Sequence, residues 1–235
     1  MNKKENRTVC ITGSGRGLGF ELVQSFLNET ELHVAAITRN GEILRKKLES
    51  SFPENRLTVI EADISTDEGR DTIFTEIKNL PELGYIIHNA GMLLFKPFQE
   101  ITEKELRDIY SINVFAPFLL TQKLLPLMHS THTISISSVG GVEGSMKFAG
   151  LAAYSSSKAA LNCLTEMLSE EFKETDNVFN CLALGSVDTE MFTAAFPGAV
   201  ASSTTKDMAD YIVSFAVKAP KIMRGKIISL SVSNP

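Results

Sequence analysis

The sequence predicts an α/β fold: a single doubly wound, parallel, seven-stranded sheet of the Rossmann-like type, with helices on both faces. Short apolar, β-branched segments alternate with segments of helical periodicity along the 235 residues, which is the pattern of β-α-β units with right-handed crossovers. No Pro/Gly/Ser-rich linker or repeat divides the chain, so we expect residues 1–235 to form one domain. Glycine or small polar residues follow several predicted strands, and ligands of such sheets bind beyond the carboxyl ends of the strands.

The composition argues against several classes of protein. Hydrophobic residues make up 43% of the chain and charged residues 22%, as in ordinary water-soluble globular proteins. The net charge of −5 makes nucleic acids and anionic membrane surfaces poor partners. The first residues lack the apolar segment of a signal peptide, and the three cysteines lack Cys-x-x-Cys spacing. We therefore expect a cytoplasmic protein that binds no metal.

The first β-α unit contains a glycine-rich loop. Residues 8–12 predict a strand buried on both faces, and residues 20–27 predict a helix. Backbone N–H groups bind phosphate where a glycine loop joins a strand to a helix. The strict G-x-G-x-x-G fingerprint is absent because each frame fails at its last glycine, so a glycine turn without a ligand stays an alternative. The loop consists of Gly13, Ser14, Gly15, Arg16, Gly17, Leu18 and Gly19.

The second predicted strand, residues 32–38, ends at an arginine. Dinucleotide-binding folds place an acid about 20 residues beyond the loop, where it binds the adenosine ribose. No acid occurs from position 32 to position 41, and Arg39 stands directly after the strand. Together with Arg16 of the loop, Arg39 suits the 2′-phosphate of NADP(H) better than the free hydroxyl of NAD(H). A plain surface arginine is the alternative.

The remaining segments continue the alternation. Ser65 with Glu68, and Thr102 with Glu105, match the capping-box pattern that begins a helix. The other predicted elements are helix 42–51 closed by Pro53, strand 57–61, a helix to about 79, strand 84–88, a helical stretch from 102 towards 128 broken at prolines 117 and 126, strand 131–137, helix 152–174, strand 178–183, helix 204–218 and strand 225–232.

Tyr154 and Lys158 are i and i+4 neighbours on a predicted helix. A free tyrosine has a pKa of about 10, and an ammonium group one helical turn away favours the phenolate. We therefore expect Lys158 to lower the pKa of Tyr154 towards neutral pH, where proton exchange with an alcohol or carbonyl oxygen is efficient. A simple surface pair is the alternative.

Several other motifs follow predicted strands. These are Asn89-Ala90-Gly91, Ser138 and Leu184-Gly185. Because the carboxyl ends of parallel strands lie at one edge of a sheet, we expect these motifs to converge with the glycine loop.

Taken together, these segments resemble the short-chain dehydrogenase/reductase family from Thr8 to about Val232. Each motif is weak by itself, whereas their common order and spacing are specific. The resemblance implies an oxidoreductase in which a nicotinamide cofactor supplies the hydride and the protein supplies position and electrostatics. The motifs are Thr12-Gly13-x-x-x-Gly17-x-Gly19, Asn89-Ala90-Gly91, Asn113, Ser138, Tyr154-x-x-x-Lys158 and a partly matching segment 180–191.

The resemblance also implies catalytic roles for four residues. Tyr154 would be the acid or base at the substrate oxygen, and Ser138 would hydrogen-bond that oxygen. Lys158 would lower the pKa of Tyr154 and bind the nicotinamide ribose. Asn113 would hold a water that relays protons from Lys158 towards solvent. The alternatives are a turn residue for Ser138 and a helix-break residue for Asn113.

The cofactor site implied by the resemblance spans the strand ends. Asp63 and Ile64 would flank the adenine, and Val187 and Thr189 would contact the nicotinamide amide, with a helix cap as the alternative for Thr189. The full set expected at the cofactor is Gly13, Ser14, Arg16, Gly17, Leu18, Gly19, Arg39, Asp63, Ile64, Asn89, Ala90, Gly91, Tyr154, Lys158, Val187 and Thr189.

Three departures from the family pattern bear on the site. His88 stands where the family usually has asparagine, and we expect it to alter packing. Leu184 replaces the usual proline before Gly185, which we expect to loosen that turn. The 16 positions from Ser138 to Tyr154 are a few more than usual, and the extra residues, within 143–153, would line the substrate side.

The sequence favours an NADP(H)-dependent carbonyl reductase. Its substrate would be a small ketone, a pteridine side-chain ketone or a 3-oxoacyl thioester. A dinucleotide-sensing binding protein without turnover and an NAD-dependent alcohol dehydrogenase are the alternatives. Residues 190–205 would form a substrate lid, whose apolar side chains suit an apolar or aromatic compound or serve ordinary packing. The resemblance further implies a homodimer or homotetramer, formed through the broken helix and the helix of Tyr154.

Overall fold

The computed structural model describes residues 6–48 and 54–232, and a seven-stranded parallel sheet is its centre. The order of the strands across the sheet is β3-β2-β1-β4-β5-β6-β7, so the winding direction reverses between β1 and β4. The predicted doubly wound sheet is therefore confirmed. The strands are β1 Arg7–Thr12, β2 His33–Thr38, β3 Leu57–Glu61, β4 Glu82–His88, β5 His132–Ser138, β6 Val178–Leu184 and β7 Ile227–Leu230.

Helices cover both faces of the sheet, as predicted. One apolar cluster joins the sheet to α1 and α8, and a second joins it to α3 and α5. Val9 and Cys10, neighbours in β1, belong to different clusters, because successive side chains of a strand point to opposite faces. This explains why β1 is apolar without alternation. The helices are α1 Gly17–Glu29, α2 Gly41–Leu48, α3 Asp67–Lys78, α4 Glu103–Tyr110, α5 Ala116–Leu124, α6 Ala152–Glu171, α7 Glu190–Ala195 and α8 Thr205–Lys218.

The break predicted in the helical stretch after Thr102 is real. A single π-helical turn, Ser111–Phe115, separates α4 from α5. Pro117 lies in the first turn of α5, and because it has no N–H it donates no backbone hydrogen bond to the π-helical turn before it. Pro126 lies in a short 3-10 turn that follows α5. The break turns Asn113 inward, where it is fully buried.

The structure corrects several predicted boundaries. The capping box at Thr102 and Glu105 is confirmed, but the one at Ser65 and Glu68 is wrong. Thr66 is the residue that caps α3, because the Ser65 hydroxyl donates its hydrogen bond to Asp63 instead. α7 was not predicted, and α6 and β7 are shorter than expected. The predicted end of the second helix at position 51 and its closure at position 53 lie outside the described residues.

The corrected cap can be tested by comparing two alanine variants. The Thr66 hydroxyl oxygen accepts a hydrogen bond from the Gly69 amide at 3.0 Å, so Thr66→Ala should lower the free energy of unfolding by about 1 kcal/mol. Ser65→Ala should cost less, since the Ser65 backbone N–H keeps its own bond to Asp63. Denaturant unfolding measures both. A greater loss for Ser65→Ala would contradict the assignment of the cap.

Candidate active site

The glycine loop joins β1 to α1 beside the segment that follows β4. Gly13 has a φ of 73°, and a Cβ there would lie 2.8 Å from the Ala90 Cα. A Cβ on Gly19 would overlap the Gly13 carbonyl oxygen. Both positions therefore require glycine. Arg16 precedes α1, and because a guanidinium has no hydrogen-bond acceptor, the first backbone N–H groups of that helix have no side-chain cap from this position.

A hydroxyl group connects this loop to the end of β4. Thr12 Oγ1 accepts hydrogen bonds from the amides of Asn89 and Ala90, both at 3.1 Å. The Asn89 side-chain amide donates to the carbonyls of Thr12 at 3.0 Å and Gly13 at 3.3 Å. The structure thus brings the glycine loop and Asn89-Ala90-Gly91 together, as their positions after strands predict.

Basic side chains surround the outer side of the loop. Arg16 and Lys47 line a cleft of about 620 Å³ that is also lined by the carboxylates Glu21, Asp188 and Glu190. Lys47 Nζ lies 3.5 Å from the Gly15 carbonyl oxygen. The sequence analysis did not identify Lys47, because its approach to the loop depends on how α2 packs.

Arg39 is exposed at the end of β2, close enough to Asp63 for their charges to interact. Partial burial raises the pKa of Asp63, but hydrogen bonds from Ser65 and the charges of Arg39 and Arg70 outweigh it and hold that pKa below its ordinary value. Ile64, next to Asp63, is buried. These residues lie where the third strand ends, at the same edge of the sheet as the loop.

Ser138, Tyr154 and Lys158 meet at this edge. Ser138 is the last residue of β5, and Tyr154 and Lys158 lie in the first two turns of α6. The Ser138 hydroxyl lies beside the phenol of Tyr154 and lowers its pKa. Lys158 Nζ is 5.8 Å from the centre of the Tyr154 ring. The three side chains are therefore within mutual reach.

The prediction that Lys158 lowers the pKa of Tyr154 below its ordinary value is wrong for this structure. Burial raises the pKa of Tyr154, and the Ser138 hydroxyl offsets this only in part. Lys158 Nζ donates a hydrogen bond to the Ile136 carbonyl at 2.8 Å, so it is turned towards β5. Burial also lowers the pKa of Lys158 to about 8. Low polarity around both groups disfavours their charged forms, which spacing along a helix could not reveal.

Asn113 clamps the segment after β4 to α6. Its side-chain oxygen accepts from the Met92 amide at 2.8 Å, and its nitrogen donates to the Met92 carbonyl at 2.8 Å and to Ser157 Oγ at 2.9 Å. Ser157 Oγ in turn donates to the Tyr154 carbonyl at 2.7 Å. Ser157, which the sequence analysis missed, thus links Asn113 to the first turn of α6.

The departures from the family pattern have structural explanations. His88 Nε2 shares a hydrogen bond of 2.8 Å with Thr121 Oγ1, and burial lowers its pKa to about 4, so it is a neutral packing residue as expected. At the turn that lacks the usual proline, Leu184 pairs with Leu230 in the sheet, and the Gly185 amide donates to the Leu230 carbonyl at 2.8 Å. The expected loosening of this turn stays a prediction.

The segment after β6 leads into α7. Val187 is buried and pairs with Ser203. Thr189 caps α7 by accepting a hydrogen bond from the Phe192 amide at 3.1 Å. The Phe196 ring, at the end of α7, meets Phe95 edge-on with ring centres 5.4 Å apart. α7 therefore reaches across to the loop that follows β4.

Two features are absent from the described residues. Within 6–48 and 54–232, no group of three or more His, Cys, Asp or Glu residues is placed to hold a metal ion. None of the helices in this part of the chain is long and apolar enough to cross a membrane.

Comparisons with known proteins agree with this geometry. A family model described as short chain dehydrogenase matches residues 7–199. The uncharacterized oxidoreductase YciK of Escherichia coli (strain K12) is 29% identical over 198 residues, which cover 82% of this chain and 78% of that protein.

Two solved structures of similar fold contain different nicotinamide cofactors, NADH in one and NADP in the other. A 4-hydroxyisoleucine dehydrogenase complexed with NADH superposes with a TM-score of 0.82 at 22% identity, over 96% of this chain and 97% of that chain. A short chain dehydrogenase from Shigella flexneri 2a str. 301 complexed with NADP superposes with a TM-score of 0.83 at 26% identity, over 95% and 96% of the two chains.

The burial of Lys158 predicts a characteristic pH dependence of stability. Its pKa falls from 10.5 to about 8 on folding, so the unfolded chain binds the proton more tightly. Burying the charged Lys158 side chain lowers the free energy of unfolding by its full amount below pH 8, and this loss is relieved as the pH rises towards 10.5. Wild type should therefore gain on the order of 3 kcal/mol in unfolding free energy relative to Lys158→Met across this window. Denaturant unfolding of both proteins as a function of pH measures the difference, and a flat difference would contradict the burial argument.

Proposed function

Because the chain belongs to the short-chain dehydrogenase family of oxidoreductases, we propose that it is an NADP(H)-dependent carbonyl reductase that interconverts a C=O and a CH–OH group. The observation that carries this proposal is the meeting of Ser138, Tyr154 and Lys158 at the sheet edge where the glycine loop lies. No step of the reaction requires a metal, and the hydride comes from the nicotinamide when the cofactor is bound.

Tyr154 is the proton donor in the reducing direction. Because burial raises its pKa, the phenol keeps its proton at neutral pH, as protonation of a carbonyl oxygen requires. Ser138 holds the same oxygen by a hydrogen bond. Lys158 leaves the Ile136 carbonyl and stabilises the phenolate once the proton has moved. The two N–H groups of the Asn113 side chain already have protein acceptors, so a relaying water would bind to a carbonyl oxygen of that residue.

The residues present fit a dinucleotide. The backbone at Gly13 and Gly19 leaves no room for a Cβ, and the first N–H groups of α1 suit a pyrophosphate. In this proposal Ser14, Gly17 and Leu18 bind that group, and Asn89, Ala90 and Gly91 form the floor beneath it. Asp63 and Ile64 flank the adenine, Lys158 binds the nicotinamide ribose, and Val187 and Thr189 contact the nicotinamide amide.

The preference for NADP(H) rests on positive charge. Arg39, Arg16 and Lys47 come from three different segments, and a 2′-phosphate is a strong acceptor for such charge-assisted hydrogen bonds. Known proteins of similar fold are solved with NADH and with NADP, so their cofactors do not decide the question. The positive charges of Arg16, Arg39 and Lys47 favour the phosphorylated cofactor.

Residues 1–235 act in this proposal as one dinucleotide-binding domain whose residues 190–205 form the substrate lid. α7 lies in this segment, and its Phe196 ring contacts Phe95 across the entrance. Closure of such a lid excludes water from the reacting atoms.

We also propose a homodimer built on α5 and α6 and housed in the cytoplasm. Phe115, Phe118 and Met167 are large apolar side chains that lie exposed on or beside these helices, and a face of this kind suits a second copy of the chain. The free cysteines Cys10 and Cys181 are buried, which fits a reducing compartment.

Replacing the phenol tests the catalytic proposal. Tyr154→Phe should lower kcat for ketone reduction by about 100-fold or more, since it removes the general acid, while cofactor binding is retained. Tyr211→Phe is the matched control: it removes the hydroxyl of an exposed tyrosine on α8 and should leave kcat unchanged. NADPH consumption over a panel of ketones, aldehydes and acyl thioesters measures the effect. A wild type that binds cofactor but turns over no substrate would favour the sensor alternative.

Reversing one charge tests the cofactor. Wild type should bind NADPH at least tenfold more tightly than NADH, about 1.4 kcal/mol, and Arg39→Asp should reverse the order because a carboxylate repels the 2′-phosphate and accepts from a free ribose hydroxyl. Arg107→Asp, an equal charge change on α4, controls for net charge. Calorimetric titration with both cofactors gives the affinities. Equal affinities in wild type would contradict the assignment of NADP(H).

A further inference from the structure

A second cleft, of about 740 Å³, lies between the loop after β4 and the extra residues that precede α6. We name it the aromatic cleft; Phe95, Phe98, Phe148, Leu151, Lys147 and Ser155 are among the residues that line it. Its three phenylalanines are 52%, 78% and 56% exposed. Three phenyl rings exposed at one place are costly in water and mark a binding surface.

The floor of the aromatic cleft adjoins the proposed reacting groups. Ser155 follows Tyr154 on α6. The hydroxyl groups of Ser155 and Ser138 both lie beside Gly140: a Cβ placed on Gly140 would be 2.9 Å from Ser155 Oγ and 3.7 Å from Ser138 Oγ. At its other side the cleft touches the lid, because Phe95 contacts Phe196. A molecule with its carbonyl group at Ser138 and Tyr154 can therefore extend along the cleft.

The lining of the aromatic cleft is mostly apolar but includes a lysine side chain, Lys147. Within the described residues that line the aromatic cleft, Lys147 is the sole charged side chain. Its Nζ donates to the Val142 carbonyl and to Ser145 Oγ, both at 2.6 Å. Ser145 Oγ is itself held by the Val139 and Val142 carbonyls. The ammonium group is thus fixed by neutral acceptors.

Among the residues that the structure describes, Lys147 also has no carboxylate partner. None of the ion pairs found in the part of the chain that the structure describes includes it. A positioned cation beside exposed rings, with no counterion, is complementary to a molecule that joins an apolar body to an anionic end.

We propose that the substrate is an elongated carbonyl compound with an apolar, ring-bearing body and a terminal carboxylate. The body lies on Phe95, Phe98 and Phe148, and the carboxylate pairs with Lys147. This inference rests on the proposed reductase function and specifies its substrate class. The competing occupant of the exposed rings is a second copy of the chain, which the experiments below distinguish.

The anionic end is tested with matched pairs of ketones. The probes are acetophenones that carry a para-carboxylate directly, through one methylene or through two, each paired with its carboxamide. For the best spacer, kcat/KM of the carboxylate should exceed that of the carboxamide about fivefold, or about 1 kcal/mol, mainly through KM. Lys147→Gln should make the pair equal, and raising sodium chloride to about 0.5 M should shrink the wild-type preference.

The matched control is Lys173→Gln. Lys173 is exposed and pairs with Glu170 at the far end of α6, about 30 Å along the helix from its first turn. This variant should keep the carboxylate preference of wild type. A preference that survives Lys147→Gln, or that is lost equally in Lys173→Gln, would overturn the inference.

The apolar body is tested at an exposed ring. Phe148→Ala should lower kcat/KM for the carboxylate and the carboxamide by the same factor, about tenfold, while the ratio between them is kept. Ile222→Ala, at another exposed apolar residue that lies outside the cleft, should change neither. If Phe148→Ala alters the sedimentation coefficient and leaves both kinetic constants unchanged, the rings belong to a subunit interface and the inference fails.

Calorimetric binding of the same probes separates this inference from the reductase proposal. If wild type reduces no ketone but binds the carboxylate probes in a manner that Lys147→Gln abolishes, the reductase proposal fails and the anionic subsite stands. If wild type reduces the ketones without any preference for carboxylate, the reductase stands and the inference is overturned.

Discussion

The hydroxyl group of Thr12 holds together the two strand ends on which the site depends. β1 and β4 are neighbours at the point where the winding of the sheet reverses, and their backbones must part there to make room for a ligand. Thr12 Oγ1 accepts the amides of Asn89 and Ala90, and Asn89 returns hydrogen bonds to the loop. Buried backbone groups that have left the sheet are thereby paired, and the glycine loop is held beside the first turn of α1.

Around the proposed reacting atoms, low polarity has more influence than the attraction between charges. Burial raises the pKa of Tyr154 and lowers that of Lys158, so both residues are shifted towards their neutral forms. With a pKa of about 8, Lys158 is still mostly protonated at neutral pH, so its ammonium group lies near an uncharged phenol. That ammonium group donates a hydrogen bond to the Ile136 carbonyl.

The two sides of the site differ in chemistry, and Asn113 joins them. The side of the glycine loop is made of backbone amides, small residues, the cations Arg16 and Lys47 and the carboxylates Asp188 and Glu190. The other side is made of phenylalanine rings from the loop after β4, the segment before α6 and α7. Asn113 binds Met92 on one of these segments and, through Ser157, the first turn of α6. Asn113 lies in the π-helical turn between α4 and α5, and from there its side chain contacts both Met92 and Ser157.

Local sequence is sufficient to predict the elements that depend on near neighbours in the chain. The alternation of strands and helices, the glycine loop after β1, the capping box at Thr102 and the break near Pro117 all follow from local periodicity and backbone chemistry. The order of motifs after strands also predicted that Ser138 lies at the same sheet edge as the glycine loop, and the resemblance to the short-chain dehydrogenase/reductase family predicted that Tyr154 and Lys158 join it there.

Where individual side chains point, and what surrounds them, depends on how the segments pack together. The Lys158 amine turns to a carbonyl of β5, Thr66 rather than Ser65 caps α3, and Lys47 reaches the glycine loop from α2. Each of these depends on contacts between segments that are distant in sequence, or on competition between neighbouring hydroxyl groups. Burial, which sets the pKa values of the site, is a property of the packed molecule and has no local signature in the chain.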